Sequence, residues 1–288
     1  MIENLESRRL LTATYEVDGT VLRITGTANR DDLAFGLSPD GLHVDVNVFE
    51  NGVLVTQESF PVGRFTLISA RLGDGADTFI AGEIPVPVIV RGERGPDSLS
   101  GGAGNDTFSG GGGDDYIFGR EGDDSITGGL QADLLLGGRN NDTIVAFSDL
   151  LTDDTIAGGQ GTDTVDYSTV SDNVFVNVGT DLPDPAEDDR IFGDVEVLLG
   201  SAQNDTLING TRRGMIIDGR AGADTLTGGS GNDMLIGGAG ADSLLGKGGR
   251  DSLEAADSAS DAIDGGRDSD TGTIDSGLDA LFNLETTV

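Results

Sequence analysis

Residues 101–129 read GGAGNDTFSGGGGDDYIFGREGDDSITGG. Glycine and aspartate dominate, yet a large apolar residue returns at every ninth position, at Phe108, Ile117 and Ile126. The unit is G-G-x-G-x-D-x-U-x, where U is apolar. It runs in phase from Gly92 to Val145, with Asp97, Asp106, Asp115, Asp124, Asp133 and Asp142 each two residues ahead of Leu99, Phe108, Ile117, Ile126, Leu135 and Ile144. It returns at Asp154/Ile156, Asp163/Val165 and Asp205/Leu207. From Gly219 to Glu254 it runs again, with Asp224, Asp233, Asp242 and Asp251 ahead of Leu226, Leu235, Leu244 and Leu253. Weaker copies occur at Asp77/Phe79 and around Asp261 and Asp270.

The spacing predicts a repeating coil. The x-U-x segment is a short strand whose apolar side chain points inward while its neighbours point out. The six residues before it form a turn, where glycine supplies positive φ without steric penalty. Two units make one flattened coil, and stacked coils pair as parallel strands about 4.8 Å apart. The U residues then form internal ladders and the aspartate turns form two external rows.

Composition excludes several classes. The chain has 288 residues, a net charge of −34, and 51 acidic against 17 basic residues. Twelve of the acids are Glu and 39 are Asp. A merely acidic surface does not demand Asp over Glu, and Asp and Gly are poor helix formers, so the bias points to carboxylates on turns. A chain this acidic lacks the basic patch that nucleic acid or an anionic membrane surface requires. There is no Cys, hence no disulfide or thiolate site. No apolar run approaches the roughly 18 residues of a membrane-spanning helix. The N-terminus lacks the apolar core of an ordinary signal peptide.

Stacking places Asp106 beside Asp124 and repeats that juxtaposition along each row. Two bare carboxylates ~5 Å apart repel by roughly 3 kcal/mol at an effective dielectric near 20. A hard divalent cation reverses that sign. Calcium suits the pattern, because it accepts six to eight oxygens in flexible geometry, whereas magnesium requires a stricter octahedron.

The repeats GGAGNDTFS, GGGGDDYIF, GGSGNDMLI and GGAGADSLL resemble the RTX nonapeptide family of calcium-binding parallel β-rolls. The resemblance covers roughly residues 72–273, with gaps. It implies an all-β, right-handed parallel β-roll (β-solenoid) holding several Ca2+ ions between stacked turns. Carried over, the ligands are Asp97, Asp106, Asp115, Asp124, Asp133, Asp142, Asp154, Asp163, Asp205, Asp224, Asp233, Asp242 and Asp251. They are joined by backbone carbonyls of Gly101, Ala103, Gly110, Gly112, Gly119, Gly228, Ser230, Gly237 and Ala239. The implied sharing pairs Asp97 with Asp115, Asp106 with Asp124, Asp115 with Asp133, Asp124 with Asp142, Asp224 with Asp242 and Asp233 with Asp251. Gln131 and Asn140 at the fourth position, and Lys247 at the second, depart from the pattern and predict strained turns.

Outside the repeats, turns at Asp18-Gly19, Pro39-Asp40-Gly41 and Asn51-Gly52 sit between strand-like runs. They predict an antiparallel β cap over the first coil, across 14–65, as a solenoid end requires. The remaining division is a first roll block at 66–166, an irregular coil with a loop insertion at 167–199, a second block at 200–273 and a C-terminal cap at 274–288. Residues 5–13, LESRRLLTA, resemble the LEPR-type motif of exported surface proteins, with Ser7 where that motif has Pro. Residues 1–13 therefore read as an export or sorting segment.

No catalytic constellation is visible. His43 is the only histidine, and neither H-E-x-x-H nor G-x-S-x-G occurs. Two readings remain: an extracellular calcium-dependent structural or adhesive protein of the cell surface or matrix, and a carbohydrate-binding accessory module like the rolls of alginate epimerases. An acidic polysaccharide partner calls for a basic stripe. Arg120, Arg139, Arg212, Arg213, Arg220, Lys247, Arg250 and Arg267 are scattered along the chain.

Overall fold

Leu99 pairs with Ile117, and Ile117 with Leu135, across adjacent parallel strands. In a second sheet Val90 pairs with Phe108 and Phe108 with Ile126. Each partner lies two nonapeptides further along the chain, so one coil is two repeats, as the spacing requires. All of these side chains are essentially buried. The computed structural model describes residues 8–9, 14–50, 53–146, 154–179, 189–275 and 278–287. Among them there are only strands and turns, and no helix. The chain divides into two compact units, Met1–Thr143 and Ile144–Val288.

In the first unit the strands of one sheet are Val21–Thr25, Leu67–Asp74, Val88–Arg94, Thr107–Gly112 and Ser125–Leu130, paired in parallel. Those of the other are Asp32–Leu37, Thr78–Ile80, Ser98–Ser100, Tyr116–Glu121 and Leu134–Arg139. Strands such as Tyr116–Glu121 run past the x-U-x segment into the first three residues of the next turn. Pro87 stands immediately before Val88–Arg94, where it needs no N–H for the ladder.

The N-terminal hairpins form as expected. Thr14–Asp18 pairs antiparallel with Val21–Thr25, and Asp32–Leu37, His43–Glu50 and Val53–Pro61 form an antiparallel meander. Asn51-Gly52 lies outside the described residues. The region does more than cover an end: Val21–Thr25 and Asp32–Leu37 are themselves parallel strands of the first coil. Residues 26–34 explain this, since Gly26, Asp31 and Leu33 occupy positions one, six and eight of a nonapeptide. Of residues 5–13, only Arg8–Arg9 is described, pairing antiparallel with Thr14 and Tyr15.

In the second unit Leu207, Leu226, Leu244, Ile263 and Leu281 line one ladder. Leu198, Ile217, Leu235 and Leu253 line another, continuing to Gly272. Val174, Val176 and Val178 are buried around the strand Phe175–Val178, which pairs with Thr206–Asn209. Within the expected loop insertion at 167–199, residues 180–188 lie outside the described residues. At the C-terminus Ala280–Phe282 pairs in parallel with Ala262–Asp264 and adds another rung, leaving Phe282 exposed.

Candidate metal centre

The aspartate turns edge the sheets, but their carboxylates are not external. Asp97, Asp106, Asp115, Asp124, Asp224, Asp242 and Asp251 are all buried. The expectation placed the turns in external rows and did not address the burial of their carboxylates. The cause is a backbone bond between coils: the N–H of Asp97 donates to Oδ1 of Asp115 at 2.7 Å, and that of Asp106 to Oδ1 of Asp124 at 2.7 Å. Asp115 donates likewise to Asp133, Asp124 to Asp142, Asp224 to Asp242 and Asp233 to Asp251. Every pair expected from the repeat phase is thus joined, carboxylate folded under its turn toward the preceding coil.

The same rule extends the rows beyond the expected residues. Asp31 donates to Asp77 and Asp77 to Asp97. Asp154 donates to Asp189, Asp205 to Asp224, Asp242 to Asp261, Asp251 to Asp270, and Asp261 to Asp279. Asp163 donates to Glu196 and Asp270 to Glu285. The sequence reading missed Asp31; its signal is Gly26 five residues before it and Leu33 two after. Glu196 and Glu285 break the Asp pattern and emerge only from stacking.

The second carboxylate oxygen decides the chemistry. Oδ2 of Asp77, Asp97, Asp115, Asp124, Asp224, Asp242, Asp251, Asp261 and Asp270 is buried without a hydrogen-bond partner. Such an atom is strongly unfavourable in a protein interior unless something compensates it. Around it the repeat's first glycine leaves a cradle. A methyl group on Gly110 would stand 2.1 Å from Asp115 Oδ2 and 2.6 Å from the carbonyl oxygen of Gly128. On Gly119 it would meet Asp124 Oδ2 at 2.2 Å and the Gly137 carbonyl at 2.6 Å, and on Gly246 Asp251 Oδ2 and the Gly265 carbonyl, both at 2.4 Å. A carboxylate oxygen of one coil and a carbonyl of the next converge there. Two facing acceptors repel unless a cation or proton joins them.

Protonation is correspondingly favoured. Burial, reinforced by the neighbouring carboxylates of Asp106, Asp142 and Asp123, raises Asp124 to about 8 against the lowering hydrogen bond from Asp106. Burial likewise takes Asp115 and Asp224 to about 7 and Asp97 and Asp251 to about 6. Asp242 is also raised, chiefly by burial. Among the described residues no three carboxylate, imidazole or thiol side chains cluster as a metal site. A cation here needs backbone carbonyls and water to complete its shell, which suits calcium.

The expected carbonyls divide. Those of Gly110, Gly119 and Gly237 face the first glycine of the preceding coil, at Gly92, Gly101 and Gly219. Those of Gly112 and Ala239 accept the N–H groups of Gly95 and Gly222. Gly101, Ala103, Gly228 and Ser230 occupy the turns of Asp106 and Asp233. The strained turns are present: Gln131, Asn140 and Lys247 have φ of 79, 74 and 72°. Glu93, Arg120 and Arg220, at the second position, share that conformation at 83, 82 and 72°. Each costs roughly 1–2 kcal/mol relative to a right-handed residue.

Parallel coils, a buried carboxylate at one phase and an oxygen-lined glycine cradle define a calcium-binding β-roll. The chain matches the RTX calcium-binding nonapeptide repeat in four copies, over residues 89–117, 109–144, 152–174 and 218–253. These stretches are RTX calcium-binding nonapeptide repeats, and the cofactor of such repeats is Ca2+. No curated protein matches the chain.

Proposed function

We propose that this chain is an extracellular repeat protein whose folding depends on Ca2+, serving a structural or adhesive role at a cell surface or in a matrix. The row of buried, partnerless Oδ2 atoms carries the calcium dependence. The RTX repeats support the extracellular address, where calcium is plentiful. Proposed ligands are the carboxylates of Asp97, Asp115, Asp124, Asp133, Asp142, Asp154, Asp163, Asp224, Asp242 and Asp251. First-position carbonyls of the following coil, such as those of Gly110, Gly128 and Gly237, complete them. Bound calcium neutralises each carboxylate row and joins successive coils. Circular dichroism during a calcium titration, with magnesium as control, tests this: β-structure forms with calcium at roughly 0.1–1 mM, the range of extracellular modules. An unchanged spectrum in chelator refutes it.

One observation favours the accessory-module reading. Arg120 and Arg139, on adjacent paired strands, line a common groove of about 690 Å³ with Phe118, Glu83 and Glu121. Arg120 lies over the Phe118 ring at 5.8 Å, and Arg139 pairs with Glu121 at 2.8 Å. An aromatic face beside hydrogen-bonding cations suits a saccharide. A glycan array in calcium buffer separates the readings, since specific binding abolished by Phe118→Ala supports the module and no binding supports the structural role.

A further inference from the structure

The turns fall into two backbone classes. In the open class the second residue has positive φ, as at Glu93, Gly111, Arg120, Arg220, Gly238 and Lys247. The aspartates of those turns, Asp97, Asp115, Asp124, Asp224, Asp242 and Asp251, are among those whose Oδ2 has no hydrogen-bond partner. In the closed class the second residue lacks positive φ and turns its N–H onto its own aspartate. Thr27 donates to Asp31 Oδ2 at 2.7 Å, Gly102 to Asp106 at 2.8 Å, Ser201 to Asp205 at 2.7 Å and Gly229 to Asp233 at 2.7 Å.

Closed turns stand where a row of aspartates begins. The preceding coil places Val88 before Asp106, Val174 before Asp205 and Met215 before Asp233. Their N–H groups reach the aspartate Oδ1 at 2.8, 2.8 and 2.7 Å, but they bring no carboxylate. Asp31 opens the row continued by Asp77 and Asp97. At the far end of its row Asp279 is closed too, by the N–H of Asp275 at 2.7 Å.

In the second unit neutral side chains complete the closure. Asn209 is 1% exposed, and its Nδ2 donates to Asp233 Oδ1 at 2.9 Å and to the Arg213 carbonyl at 2.9 Å. Ser201 is 0% exposed, and its hydroxyl reaches Asp205 Oδ1 and Oδ2 at 2.9 and 3.1 Å and the Asp172 carbonyl at 3.2 Å. Arg213 and Asp172 occupy equivalent places, each two residues before the apolar sixth position. Both side chains therefore bridge a carboxylate of one coil and a carbonyl of the coil before, the joint a cation makes elsewhere.

We propose that the closed turns of Asp106, Asp205 and Asp233 take no calcium. They are metal-independent rungs on which the ion-dependent coils stack, and in the second unit Asn209 and Ser201 stand in for the cation. This rests on the calcium reading of the open turns. It follows from donor direction: N–H, NH2 and O–H groups already point at the closed carboxylates, and a cation would have to displace them and face their hydrogens.

Native mass spectrometry of the full chain in calcium counts the ions. Wild-type protein that binds none overturns the calcium reading itself. With calcium bound, Asp242→Ala loses at least one ion while Asp233→Ala keeps the wild-type count; an ion lost from Asp233→Ala overturns the closed-turn proposal. Because Asp233→Ala removes the acceptor of Met215 and Asn209, hydrogen exchange on the wild type gives a second test. In chelator, segments containing Asp205 and Asp233 exchange at least about tenfold more slowly than those containing Asp242 and Asp251. Equal exchange overturns the proposal.

Discussion

The backbone N–H of Asp106 donates to the Oδ1 of Asp124, 2.7 Å away in the next coil. That bond draws the Asp124 carboxylate out of water, and burial raises it to about 8. The same contact that registers one coil on the next creates the charge problem that calcium solves.

A pH prediction follows from the raised groups. Asp97, Asp115, Asp124, Asp224 and Asp251 titrate at about 6 to 8 when folded, against 3.8 as the unperturbed value. The folded state binds protons more tightly than the unfolded state, so stability falls as pH rises. Their contribution is complete below about 4 and is lost as pH climbs through 6 to 8. In chelator the β-sheet circular dichroism signal is therefore larger at pH 5 than at pH 8. With saturating calcium that order reverses, because protons compete with the ion.

Gly110→Ala tests the cradle. Its methyl would stand 2.1 Å from Asp115 Oδ2 and 2.6 Å from the Gly128 carbonyl, with backbone on one side. Overpacking of this kind costs about 1–3 kcal/mol. Urea denaturation in saturating calcium reads the loss, and the calcium midpoint rises with it. A variant that matches wild type in both shows the space to be unused.

Ile117→Ala tests the apolar ladder apart from the ion. Ile117 is fully buried between Leu99 and Leu135, and truncation destabilises by about 2–5 kcal/mol even at saturating calcium. Denaturant unfolding of the calcium-loaded protein measures this.

Lys247→Gly moves the other way. Lys247 has φ of 72°, which glycine adopts without a Cβ penalty, so the calcium-loaded protein gains about 1 kcal/mol. A lower unfolding midpoint contradicts the strain.

The apolar ladder was legible because U recurs at one phase, and Leu99, Ile117 and Leu135 register as that phase demands. The aspartate pairs were legible for the same reason. Burial of their carboxylates was not, because it follows from an N–H in a coil eighteen residues away. The copy at 26–34 was hidden by hairpin-like strands on both sides of it. The division into open and closed turns was illegible in any single repeat. GGAGNDTFS and GGSGNDMLI look like ideal copies, yet Gly102 and Gly229 close onto Asp106 and Asp233 because Val88 and Met215 stand in the coils before them.

The most direct measurement is a high-resolution density map from crystals grown in ample Ca2+. The account predicts calcium within coordination distance of the Oδ2 atoms of Asp115, Asp124, Asp224 and Asp242, with carbonyl oxygens of adjoining coils completing the shell. Water or nothing beside those atoms, with the coils still stacked, contradicts it.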